Sequence, residues 1–152
     1  MPLGVAIARA HQQADTDVAG ALEELESLRS TNPRNAAIVA EIARVLKKAE
    51  RHDEAREAAG NAIRLALSCG AGPIAHDVFK SFAHEAAQLN LEPAVYEQLG
   101  RILTARREYD GAAWCYRAAA ALGGDPKSLQ KGMLSVAETA TSSGAHDRAA
   151  MV

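Results

Sequence analysis

The side chains most able to do chemistry are five histidines and two cysteines. His76 and His84 stand eight residues apart in one apolar-patterned stretch, about 80° apart around a helix axis. That step is neither H-x₃-H nor H-E-x-x-H, the spacings that bring two imidazoles to one zinc ion. Both are therefore expected to be satisfied internally or solvated, like His11. His52 and His146 occupy corresponding turns, which is structural repetition and not a proton-transfer pair. Cys69 and Cys115 form no C-x-x-C pair and are too few for a disulfide framework; they read as small buried hydrophobes in a reducing compartment. No serine or cysteine lies in a nucleophile-elbow sequence. Gly123-Gly124-Asp125-Pro126 stops one helix and starts another, with Pro126 in a first turn; it is no phosphate cradle. Glu23, Glu24 and Glu26 spread over a solvent face. The expectation is a protein that is not an enzyme, with no metal and no cofactor.

The elements carrying these groups must be helices. Hydrophobic residues are 48% of the sequence but aromatic ones only 4%, so the core is built from Ala, Leu, Ile and Val. Alanine has the best helix propensity and loses no side-chain entropy, which predicts an all-α protein. Its 152 residues suit a single domain. A formal charge of −2 gives no electrostatic reason to expect nucleic acid or an acidic membrane as partner. No stretch approaches the ~20 apolar residues of a transmembrane helix. The start, MPLGVAIARAHQQAD, turns polar too soon for a secretory signal, so a cytoplasmic protein is expected.

Helices are predicted over 3–13 and 18–30, from an Asn35 cap to about Glu50, and from the Arg51-His52-Asp53 turn to Gly70-Ala71-Gly72-Pro73. Pro33 ends the second of these. The stretch 96–119 has the clearest pattern: Tyr96-x-x-Leu99-Gly100-x-x-Leu103, then nine residues to Ala112-x-x-x-Tyr116-x-x-Ala119. Gly100 is expected to let a second helix approach closely. Val39-x-x-Ile42-Ala43-x-x-Leu46, with Ala55-x-x-x-Ala59-x-x-Ala62 nine residues on, follows the same template. Met133-x-x-Val136-Ala137-x-x-Ala140 leads by the same step to Ala149, with a turn at His146-Asp147-Arg148. Ala21, Leu25, Leu28 and Pro33 form a weaker first copy, in which Arg9 falls where a small residue belongs. Between the second and third copies the register breaks by 23 residues. Pro73 to Leu91 is read there as one inserted helix, with a stripe of Ile74, Val78, Phe79, Phe82, Ala83, Ala86 and Leu89.

This pattern resembles the tetratricopeptide repeat, a helix hairpin of about 34 residues. The resemblance implies hairpins at about 2–33, 36–69, 93–124 and 127–152, an extra helix at about 73–91, and about eight helices stacked as a right-handed superhelix in one domain. It implies a protein-binding scaffold whose concave groove, lined by the first helix of each hairpin, holds a partner peptide or helix. Tyr116 matches the family's buried aromatic, while Trp114 should point to another face. Groove-facing positions would be Ala40, Glu41, Arg44 and Lys47 in one hairpin and Glu97, Gln98, Arg101 and Thr104 in another. Family members that bind acidic C-terminal tails use a clamp of Lys, Asn and Arg. The Asn residues are missing here, which leaves a mildly basic strip of Arg44, Lys47, Lys48, Gln98 and Arg101 for an acidic or amphipathic segment.

Two other classes bear on the reading. Bacterial secretion chaperones are similar in size and repeat content, but their repeats are contiguous. Helical-repeat RNA binders of the pentatricopeptide kind would need a basic groove. The final hairpin breaks off one turn into its second helix, exposing Met133, Leu134, Val136 and Ala137. The expectation is either a fragment of a longer chain or an open end that docks on a second copy.

Overall fold

The computed structural model describes the backbone of residues 2–151 and the side chains of residues 2–141. Among these residues every regular element is helical and none is a strand. The chain divides into two compact units, Met1–Asn90 and Leu91–Val152.

The first unit contains α1 (Leu3–Gln13), α2 (Val18–Thr31), α3 (Ala36–Lys48), α4 (His52–Ser68), α5 (Gly72–Ser81) and a 3₁₀ segment, Ala83–Leu89. Asp17 caps α2 by accepting from the Gly20 amide at 3.0 Å, and Asn35 caps α3 through the amides of Ala37 and Ile38. Helix α3 is the centre of this unit. It packs against α1, α2, α4 and α5, and nine of its thirteen residues are buried. A helix so enclosed must be apolar on most of its circumference, which the run Ile38-Val39-Ala40 and Ile42-Ala43 supplies. Helix α4 lays the expected small face, Ala55, Ala59, Ala62 and Ala66, into the core. In α1 the buried small residues are Ala6 and Ala10, so Arg9 stays exposed one residue off the template.

The segment read as one inserted helix is two elements. Helix α5 stops at Ser81, Phe82 leaves helical geometry at φ −112°, and the 3₁₀ segment is itself interrupted at Glu85, φ −116°. Near the break, the Ser81 hydroxyl donates to the Asp77 carbonyl at 2.9 Å, a back-bond that weakens the helical ladder. The bend keeps Val78, Phe79, Phe82, Ala86 and Leu89 buried but turns Ala83, expected in the stripe, to solvent.

The second unit contains α6 (Pro93–Ala105), α7 (Tyr109–Ala121) and α8 (Pro126–Met151). Tyr96, Leu99 and Leu103 of α6 and Ala112, Cys115, Tyr116 and Ala119 of α7 form its core. The turn into α7 is built like the turn into α4. Arg51 donates its amide to the Leu46 carbonyl at 3.0 Å, and Glu108 donates to Leu103 at 2.9 Å. Each turn passes through one left-handed residue, Glu50 at φ 61° and Arg107 at φ 62°. This is the closing geometry of a Schellman turn, and it recurs at the two positions that the sequence template makes equivalent.

Helix α8 departs from expectation. It runs unbroken through 146–148, where a turn into a further helix was expected, and the surroundings of Ala149 lie outside the described side chains. Among its described side chains Leu129 and Val136 are buried, whereas Met133, Leu134 and Ala137 are exposed. The template therefore locks in one turn earlier than Met133. An apolar pattern of i, i+3, i+4, i+7 looks nearly the same after a shift of four residues, and Leu129, which reaches toward Gly124 in the preceding turn, decides the register.

Candidate functional site

The basic strip expected on the repeat groove falls in both units and is put to different uses. In the first unit, Glu41 is not on an open groove; its side chain is only 6% exposed. It accepts from His11 Nδ1 and, at 3.1 Å, from Arg44 Nη1. Arg44 is thereby spent on a buried carboxylate, which would be costly to leave without a cation. Lys47 donates to the Ser81 carbonyl and stands 4.8 Å over the Phe82 ring. That places a cation on the carbonyl end of α5, where the helix dipole favours it. Lys48 pairs with Asp15. Ala40 is buried. These residues close the first unit's own fold.

A cavity of about 590 Å³ in this unit is lined by Asp53, Arg56, Glu57, Arg64 and the chain around Asn90. Its arginines are already engaged: Arg56 with Asp53 and Glu85, and Arg64 with the Asn90 carbonyl at 2.8 Å.

The second unit offers an open cleft of about 620 Å³ between α6 and α8. Arg101, Thr104 and Arg107 line one side, Ser128, Lys131, Ser135 and Thr139 the other, and Tyr116 of α7 forms the floor. No acidic side chain is among the described residues lining it. Gln98 is exposed on α6 but is not part of this lining.

Two glycines make the floor. A Cβ on Gly100 would stand 2.8 Å from Tyr116 Cζ, and one on Gly132 would stand 2.5 Å from Tyr116 Cε1. Gly100 thus serves the Tyr116 ring more than a helix backbone. The ring is 2% exposed and its hydroxyl is hydrogen-bonded with Thr104. Burial pushes the phenol above its ordinary range, so the hydroxyl stays neutral. Thr104 in turn donates to the Gly100 carbonyl at 2.7 Å.

The charges in the cleft are unequal. Arg101 donates to Glu97 at 2.8 Å, and Ser128 also donates to Glu97, so that carboxylate draws both inward. Arg107 and Lys131 have no ion-pair partner among the described residues, and both are exposed. Arg107, Lys131, Gly132, Ser135 and Thr139 were not singled out in the sequence. Arg107 could have been, as the equivalent of Glu50 in the repeated turn. The α8 residues could not, because the template was one turn out of register there.

Trp114 packs edge-on against Tyr96, ring centroids 5.7 Å apart. Cys69 is exposed, contrary to the expected burial, because it lies just past the last turn of α4 beside Arg34. Cys115 is buried and its thiol is pushed up to about 12 by desolvation. Among the described residues no group of three or more His, Cys, Asp or Glu is placed to hold a metal ion. No described helix is long and apolar enough to cross a membrane. No protein-family model matches the chain, and no curated protein matches it as a relative.

Proposed function

We propose that this protein is a non-catalytic binding module of tetratricopeptide-like helix hairpins that holds a segment of another protein in the α6/α8 cleft. The observation that carries this reading is the cleft itself. It is open, lies between the first helix of one hairpin and the helix that follows it, and presents donors and positive charge above a fixed aromatic floor. Peptide-binding grooves work this way: a preorganised surface spares the cost of ordering, and a few polar groups set the register. The matching turns at Glu50 and Arg107 support a repeat, and the superhelix is proposed on that basis. Two free thiols fit a cytoplasmic setting.

The groove is assigned to the second unit, with Arg101 as its rim, while Arg44, Lys47 and Lys48 serve stability. Selection of peptides from a random twelve-residue display library tests this. Acidic or amphipathic sequences should be enriched on the wild-type protein and lost on the Arg107→Asn/Lys131→Gln variant. Peptides that bind both proteins equally would remove the cleft from the account.

A further inference from the structure

The partition of charge inside the cleft says more about the ligand than the cleft's shape does. Of the three cations among the described residues lining it, Arg101 is already matched by Glu97, and the Ser128 hydroxyl is directed to the same carboxylate. The Thr104 and Thr139 hydroxyls donate to main-chain carbonyls of their own helices, each at 2.7 Å. What is left over among the described lining residues is one guanidinium, one ammonium and one hydroxyl: Arg107, Lys131 and Ser135. They bring two positive charges with no ion-pair partner among the described residues, and unspent donors, to one open cavity with no described carboxylate in its lining. The carboxylates of Glu108 and Asp110 lie with Arg107 on a separate shallow pocket.

The geometry points to a phosphorylated protein segment as the cleft's ligand, its phosphomonoester held between Arg107 and Lys131. This rests on the groove reading above and specifies its ligand class. A phosphomonoester carries a charge of about −1.5 to −2 and three acceptor oxygens, which matches two cations and a hydroxyl donor. A single carboxylate carries one charge and would leave one cation unanswered. Arginine adds a planar fork that suits two phosphate oxygens at once.

The same surroundings disfavour a nucleic acid as the source of the phosphate. Single-stranded RNA is gripped largely by stacking its bases on aromatic faces. Among the described residues lining the cleft the one aromatic is Tyr116, whose ring is closed in by Gly100 and Gly132. Tyr96 is buried, Trp114 is turned edge-on against Tyr96, and the half-buried Tyr109 lies outside the lining. Apart from its cations and Tyr116, the described lining of the cleft is hydroxyls and short side chains, which suit a polypeptide running past a single charged group.

The test uses the full chain and three synthetic decapeptide mixtures, randomised except for a central phosphoserine, serine or glutamate, each read by fluorescence anisotropy. The phosphoserine mixture should bind at least about tenfold more tightly than the other two, a typical worth for a charge-assisted contact. The Arg107→Asn/Lys131→Gln variant should lose that difference. Asparagine tolerates the left-handed backbone at position 107, and unchanged Trp114 emission reports that the unit remains folded. Equal binding of the glutamate and phosphoserine mixtures overturns the phosphate assignment and leaves the groove standing. A variant that keeps the preference for phosphoserine overturns it too. Failure of all three mixtures, together with an empty display selection, overturns the groove as well.

Discussion

Replacing Gly100 or Gly132 by alanine tests the packing on which the cleft floor depends. At position 100 the new methyl would stand 2.8, 2.9 and 3.0 Å from three carbons of the Tyr116 ring; at position 132 it would stand 2.5 and 2.7 Å from two of them. Carbon atoms pack at about 3.5–4.0 Å, so the ring must retreat by about 1 Å. It is bounded by the other glycine and by a filled core, and overpacking of that kind costs about 1–3 kcal/mol. Alanine returns up to about 1 kcal/mol of helix propensity. The net loss is about 1 kcal/mol for Gly100→Ala and about 2 kcal/mol for Gly132→Ala, whose contact is tighter. Gly111 is the internal control, because its Cβ would meet only the two methyls of Leu103, at an ordinary 3.4 and 3.9 Å. Urea unfolding followed by Trp114 fluorescence reads this unit, since Trp114 is the sole tryptophan and lies in α7. Coupling to Tyr116→Leu completes the argument: once the ring is gone, each alanine should become neutral or stabilising. Gly132→Ala at wild-type stability, or a penalty that survives Tyr116→Leu, would refute the wedge.

Other outcomes follow from the same geometry. Because the Cys115 thiol is raised to about 12, its contribution is whole below the unfolded-state pKa and is lost as pH rises through the folded value. Stability should fall between about pH 9 and 12 with a slope approaching ~1.4 kcal/mol per unit, and Cys115→Ala should flatten that slope in pH-dependent urea melts. A thiol reagent at neutral pH should label Cys69 at once and Cys115 only on unfolding, as counted by mass spectrometry. Lys47→Met removes the cation from the Ser81 carbonyl and the Phe82 ring; a loss of about 1 kcal/mol is expected in thermal melts by circular dichroism. Glu41→Gln keeps the shape but loses the charge that Arg44 and His11 share; about 1–3 kcal/mol should go.

Helix positions were legible because alanine-rich periodicity and caps are local signals. Asn35 and Asp17 cap where their side chains suggest, and the buried faces of α4, α6 and α7 follow from spacing alone. What escaped depends on contacts distant in sequence. Lys47 looks like a groove cation until the break after Ser81 exposes a carbonyl for it, and that break is encoded 34 residues away. Glu41 looks like a groove residue until α1 brings His11 over it. In α8 the repeating apolar pattern permits a one-turn slip, and the packing of Leu129 resolves it. The same slip concealed Lys131, Gly132 and Ser135, so the cleft was half visible: Arg101 and Thr104 from the template, its opposite wall not at all.

Site-specific photo-crosslinking in cells making the full chain tests the binding role most directly. A benzophenone side chain at Ser135, inside the cleft, should trap a protein adduct that one at Glu23, on the exposed side of α2, does not. Adducts at Glu23 and none at Ser135 would contradict a binding site between α6 and α8.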